Sequence, residues 1–101
     1  MKGELLIQGG TLVTDSESTR ADLLVRDGKI AAIRSQLPNT TTIIDARGKL
    51  VMPGGIDSHV HLQHPIDRLS IETADDFHTG TVAAACGGVT SIVDFALQRH
   101  G

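Results

Sequence analysis

The chain has 101 residues, 40% of them hydrophobic and 21% charged, and a formal net charge of −3. That length suits one small domain, and the ordinary balance excludes wholesale disorder. With no Lys/Arg cluster there is no footprint for nucleic acid; with no run near the roughly 20 apolar residues of a membrane span, no membrane partner is expected.

The stretch after Met1-Lys2-Gly3-Glu4 is too short for a signal-peptide core, and the lone Cys86 cannot form an intrachain disulfide, so a soluble, cytoplasmic protein is expected. With Phe77 and Phe95 the only aromatics of the Phe/Tyr/Trp type, burial rests on Ile, Leu, Val and Ala, as suits strands covered on both faces. The first half reads as short strands joined by tight turns. Glu4 to Ile7 and Thr11 to Thr14 flank Gln8-Gly9-Gly10. Ala21 to Val25 and Lys29 to Ile33 flank Arg26-Asp27-Gly28, and Asp-Gly between apolar runs is a strong hairpin signal. Thr41 to Ile44 and Lys49 to Met52 flank Asp45-Ala46-Arg47-Gly48. Three hairpin-like units, separated by polar linkers, predict an antiparallel β layer.

At Pro53-Gly54-Gly55 the pattern changes. Ile56 to Leu62 is extended, and Gln63 to Ser70 reads as a polar loop in which Pro65 disfavours helix at His64. Thr73 offers an N-cap, with Ala74-Asp75-Asp76 in the first turn; Ala74, Phe77, Thr81 and Ala84 share a helical face, and Gly87-Gly88 supplies the stop. Cys86 reads as a small buried residue closing that helix rather than a reactive thiol, because no His or Lys stands beside it. Val89 to Phe95 is a second β run. Strand, helix, strand predicts a βαβ unit with parallel strands and a right-handed crossover. One such unit cannot close a core, and the chain stops at His100-Gly101 where a second helix is expected, so it reads as truncated in mid-fold.

Asp57-Ser58-His59-Val60-His61 carries the chemistry. Alternation along a strand puts Asp57, His59 and His61 on one face, and imidazoles at i and i+2 can reach one metal ion without distorting the backbone. Imidazole nitrogen suits zinc and its neighbours. Asp57 could ligate weakly, orient a histidine from behind, or cap the loop. His-x-His alone, in a chain with five histidines, does not separate a ligand pair from coincidence. Its place at the C-terminal end of a parallel strand favours a site.

The run Val51-Met52-Pro53-Gly54-Gly55-Ile56-Asp57-Ser58-His59-Val60-His61-Leu62 resembles the signature of the amidohydrolase superfamily, in which Pro-Gly-x-Ile-Asp-x-His-x-His opens the first barrel strand. The segments Glu72 to Thr81 and Ala84 to Phe95 are similar to the dihydropyrimidinase/D-hydantoinase branch, as are Asp27-Gly28-Lys29-Ile30 and Ile44-Asp45-Ala46-Arg47-Gly48-Lys49. The resemblance implies an α/β fold: the start of a metal-dependent (β/α)8 barrel, residues 53–101, preceded by short antiparallel strands of a flanking β-sandwich, residues 1–52. It implies that His59 and His61 ligate the more buried of two metal ions, usually zinc, with Asp57 as a possible partner behind them. The implied reaction is hydrolytic opening of a small cyclic amide, a dihydropyrimidine or 5-substituted hydantoin, by a hydroxide bridging the metals. The loop with Gln63, His64, Pro65 and Ile66 matches one bordering the substrate's exocyclic group, and the parent is expected to be a homo-oligomer, a tetramer by resemblance. Asp94 is read as structural.

The family's bridging lysine, two further histidines and late aspartate have no counterpart here, so no catalytic residue is placed within the chain, and by itself it is expected to be inactive. Leu62-Gln63-His64 carries no Arg of the kind dihydroorotase-like sequences place after the second histidine, and Arg68 is too far along to substitute; allantoinase stays open. A catalytically silent relative acting by assembly would lack the histidine pair that this chain keeps. Residues 1–52 as an independent binding module are disfavoured, because a small piece with unpaired sheet edges stays loose.

Overall fold

The computed structural model describes residues 3–40 and 42–96. Thr41, expected to open a strand, and His100-Gly101, where a second helix is expected, lie outside the described residues, as does the Met1-Lys2 start. The chain divides into two compact units, Met1–Pro53 and Gly54–Gly101.

In the first unit, Asp27 and Gly28 take φ of 50° and 74°. Two consecutive positive φ values are what a two-residue primed turn requires, and β2 (Ser18–Arg26) folds back on β3 (Lys29–Arg34) as expected. Gln8-Gly9-Gly10 does not turn. Of its two glycines only Gly9 has positive φ, 71°, and β1 runs unbroken from Glu4 to Val13, paired with β2 on both sides of that glycine. Gly9 instead makes a bulge: the register shifts between Ile7 and Gly10. That one-residue slip inverts the alternation, so Ile7 and Leu12 line the same face, with Ala21, Leu23, Val25 and Val51. Leu6, fully buried, lies on the other face.

The third expected hairpin is also absent. β4 (Thr42–Asp45) and β5 (Leu50–Val51) do not pair with each other; both run parallel to β1, beside Leu5–Gln8 and Thr11–Leu12 respectively. The sheet is therefore mixed, in the order β3-β2-β1-β4 with β5 also on β1, rather than antiparallel. Asp45 to Gly48 is a jog within one edge: the Ala46 amide donates to the Gln8 carbonyl at 2.9 Å and the Thr11 amide to the Lys49 carbonyl at 2.9 Å. Arg47 closes the jog on Asp45, and its guanidinium holds that carboxyl down to about 2. One buried polar side chain fastens the unit. Asp22, 4% exposed, accepts from the Gly9 amide at 2.8 Å and the Leu37 amide at 2.9 Å, satisfying the bulge's spare donor.

In the second unit, β6 (Gly55–Val60) and β9 (Val89–Asp94) are parallel, the strand–helix–strand pattern expected. Between them lie β7 (Pro65–Ile66), a 3-10 turn (Asp67–Leu69), β8 (Ile71–Glu72) and α1 (Phe77–Cys86). What reads as a loop is thus partly a small antiparallel ribbon, Pro65↔Glu72 and Ile66↔Ile71. The helix starts later than expected. Asp76, not Thr73, is its N-cap: it accepts from the Thr79 amide at 2.7 Å while Thr79 Oγ1 accepts from the Asp76 amide at 3.1 Å. That amide holds the Asp76 carboxyl below the usual carboxylate range. Thr73 is committed elsewhere, to His64, as described below. Gly87 and Gly88 end the helix as expected, Gly88 at φ 83°.

Phe77, Thr81 and Ala84 share one face of α1 as expected, but Ala74 lies outside the helix and no residue of α1 is buried. Ala74 precedes the helix and Phe77 is 53% exposed; Gly80 and Ala84 are the half-buried positions. Gly80 is where the helix draws close, since a Cβ there would run into the Leu62 side chain. Cys86 does end the helix, but exposed rather than buried, because among the described residues no element of this unit packs over it. No helix among the described residues is long and apolar enough to cross a membrane.

Candidate metal centre

β6 delivers the histidines. His59 lies within the strand and His61 one residue past its end, and period-2 alternation sends both rings to one side. The rings converge at their tips, with Nε2 of His59 and Nε2 of His61 3.1 Å apart. Their centroids are 5.0 Å apart and their planes inclined at 64°. One ring can donate its Nε2 proton to the other, or both nitrogens can turn their lone pairs on a shared cation. Both residues are exposed.

Asp57 is placed on the backbone instead of on a ring: its Oδ1 accepts from the His59 amide at 3.1 Å. Asp94, read as structural, has its Oδ1 accepting from the Leu62 amide at 3.1 Å. The Phe95 amide donates to the Val60 carbonyl at 3.0 Å, which ties the ends of β6 and β9 together. Among the described residues no group of three or more His, Cys, Asp or Glu side chains could hold a metal ion, so the imidazole pair stands without a third protein ligand there.

The loop residues part company. Gln63, exposed at φ 47°, donates its amide to the Asp75 carbonyl at 2.8 Å. His64 turns back toward the pair, its ring centroid 4.8 Å from that of His61. Its amide donates to Thr73 Oγ1 at 2.9 Å, and its carbonyl accepts from the Thr73 amide at 3.0 Å. Pro65 and Ile66 lie in β7, paired with Glu72 and Ile71 of β8.

The sequence aligns at 50% identity with a dihydropyrimidinase of Rattus norvegicus, over 96% of this chain and 20% of the relative, and at 50% with a D-hydantoinase of Geobacillus stearothermophilus, over 95% and 20%. A crystal structure of D-hydantoinase superposes with a TM-score of 0.89 at 46% identity, covering 97% of this chain and 21% of that one. Along nearly its whole length, the chain is similar to one segment of dihydropyrimidinase and D-hydantoinase chains. A solved dihydropyrimidinase from Brevibacillus agri also superposes, with a TM-score of 0.88 at 47% identity, over 97% of this chain and 21% of that one. No protein-family model matches the chain. The chain thus spans about a fifth of the length of the dihydropyrimidinase and hydantoinase relatives it matches.

Two residues at the centre escape a reading of the sequence. Phe95 stacks on His59, centroids 4.6 Å apart and planes 18° apart, and lies tilted against His61 at 5.4 Å. The available signal was topological: in a parallel pair the residue after β9 comes level with the end of β6, and the register does set Val60 beside Asp94. Thr73 reads as a helix cap, and only the fold reveals its bonds to His64.

Proposed function

We propose that this chain contributes the first two metal ligands, His59 and His61, to a hydrolase that opens cyclic amides, dihydropyrimidines or 5-substituted hydantoins. The 3.1 Å between the two Nε2 atoms is the observation that carries the reading. Two nitrogens at adjacent vertices of a tetrahedral zinc, each about 2.05 Å from the ion, sit about 3.3 Å apart. The donor set fits as well as the spacing, because neutral imidazole is a preferred ligand of zinc and neighbouring divalent metals. A metal pair bound there supplies Lewis acidity toward the ring carbonyl and makes a nucleophile available near neutral pH.

The residues themselves bind and orient. His59 and His61 present lone pairs to one point; Asp57 fixes the backbone just ahead of them by holding the His59 amide. Asp94 and Asp75 fasten the two amides that follow, Leu62 and Gln63. Gln63, His64, Pro65 and Ile66 border the substrate's exocyclic group in this reading, and β6, α1 and β9 open a (β/α)8 barrel. Catalytic zinc generally takes three protein ligands, so the chain by itself binds metal without turning over a ring.

Zinc titration of the chain tests the ligand assignment. Binding is expected for the wild type and lost in the double variant His59→Ala, His61→Ala; equal binding by the two would overturn it. For the reaction, the chain is grafted in place of the matching segment of the Geobacillus stearothermophilus D-hydantoinase. Hydantoin opening is expected to survive the graft and to disappear on adding His61→Ala, whereas a folded graft that holds zinc but opens no ring would overturn the substrate class.

A further inference from the structure

The imidazole pair does not stand alone: it is one half of a cluster of four rings. We propose that Phe95 and His64 are positioning residues, an aromatic brace that turns the two imidazoles so that their Nε2 atoms meet at one point. The inference rests on the ligand assignment above.

Ring contacts of this kind are directional. Aromatic pairs favour offset stacking or an edge directed at a face, with centroids roughly 4.5–7 Å apart. Phe95 gives His59 a stacked neighbour at 4.6 Å and 18°, which restricts rotation about χ2. His64 meets His61 edge-on at 4.8 Å and 72°, while Phe95 closes on the same ring at 5.4 Å and 47°. His61 therefore contacts two further rings, one from the loop after β6 and one from just past the end of β9. Each brace residue is anchored through its backbone: Phe95 by its amide to the Val60 carbonyl, His64 by two reciprocal bonds to Thr73. Those anchors explain why Thr73 does not cap the helix.

A brace is distinct from a third ligand. Among the described residues no three-residue metal cluster exists, and the contact His64 does make is ring to ring with His61, so the role assigned to it is through the shape of its ring. Phe95 has no donor at all. Without the brace each imidazole gains rotamers in which the two Nε2 atoms diverge, and this lost preorganisation weakens metal binding.

The test uses the 101-residue chain, zinc titration, and nuclear Overhauser contacts between ring protons recorded without metal. His64→Ala and Phe95→Ala are each expected to weaken zinc binding about tenfold, the lower end of what removing a supporting residue costs a metal site. His64→Phe and Phe95→Tyr keep a ring and are expected to restore it to within a few-fold. Metal-free contacts between the His59 and Phe95 rings, and between His61 and His64, are expected in the wild type. Far-UV circular dichroism and slow exchange of the Thr73 amide check that each variant stays folded, and the ring-retaining pair guards against loss of structure in the alanine variants. Alanine variants that bind zinc as tightly as wild type, while His59→Ala, His61→Ala does not bind, overturn the brace and leave the ligand assignment standing. If His64→Phe is as weak as His64→Ala, the nitrogen of His64 matters and the brace is likewise overturned. If the wild type itself binds no zinc, the ligand assignment falls first, and the ring contacts report separately on whether the cluster forms.

Discussion

Replacing Asp22 tests how the bulge in β1 is held. Its two side-chain oxygens accept from two backbone amides, Gly9 at 2.8 Å and Leu37 at 2.9 Å, at a position 4% exposed. Asp22→Ala strands both donors. A buried donor left without a partner costs about 1–3 kcal/mol, and because these bonds are only partly buried the lower end applies, about 2–3 kcal/mol for the pair. Asp22→Asn is the sharper variant. It keeps the shape and one acceptor, but an amide NH2 faces the second N–H, so it loses one bond of the two and about half the energy. Amide hydrogen exchange reads this residue by residue, at about tenfold faster exchange per 1.4 kcal/mol. Asn is expected to speed exchange at only one of Gly9 and Leu37, and Ala at both, with thermal midpoints in the order wild type, Asn, Ala. Protection at both amides unchanged in Asp22→Ala would refute the claim that this carboxyl fastens the bulge.

Gly10 packs where a Cβ would fall 2.6 Å from Val51 Cγ2 and 3.1 Å from Ala46 Cβ, so Gly10→Val should separate β5 from β1 and cost about 1–3 kcal/mol in a denaturant midpoint. A variant as stable as wild type would mean that the β1–β5 contact is loose. The Asp76 cap carries a pH signature. Its folded carboxyl lies below the ordinary range, so its stabilisation is fully present above the unfolded value of about 4 and drains away as pH falls through the lower folded value. Helicity of α1 should therefore fray with acid in the wild type and be low at every pH in Asp76→Ala; an acid response as strong in Asp76→Asn as in the wild type would assign the titration elsewhere.

What the sequence discloses about this fold depends on whether a feature is decided by neighbours along the chain. Asp27-Gly28 is legible as a hairpin because two adjacent residues suffice to set two positive φ values. Gln8-Gly9-Gly10 is not, because a bulge and a turn differ in what lies across from them: here one partner strand, β2, runs past both arms. Asp45 to Gly48 misleads for the same reason, since the strands on either side find β1 before they find each other. Thr73 and Asp76 are both capping residues by type, and a partner distant in sequence, His64, decides between them. At the candidate centre the imidazole pair is legible from a spacing of two residues on a strand. Phe95 and His64 come from a later strand end and a turn, and their ring contacts follow from the β6–β9 register and the Thr73 tie.

Among its described residues the second unit buries none fully, yet its imidazoles are directed, and the source of that order is polar. From His59 to His64 the backbone is tied at the amides of 59, 62, 63 and 64 and at the carbonyls of Val60 and His64. A single exposed bond of this kind is worth about 0.5–1.5 kcal/mol, too little to fix a segment by itself. Ties on both flanks of each histidine leave the backbone little room, so the remaining freedom lies in the side-chain torsions, which the neighbouring rings restrict. The two kinds of contact therefore govern different errors. Loss of a backbone tie at Asp57 or Asp94 shifts both imidazoles with the strand end and preserves their convergence, whereas loss of a ring at Phe95 or His64 leaves the strand in place and lets one Nε2 swing away from the other.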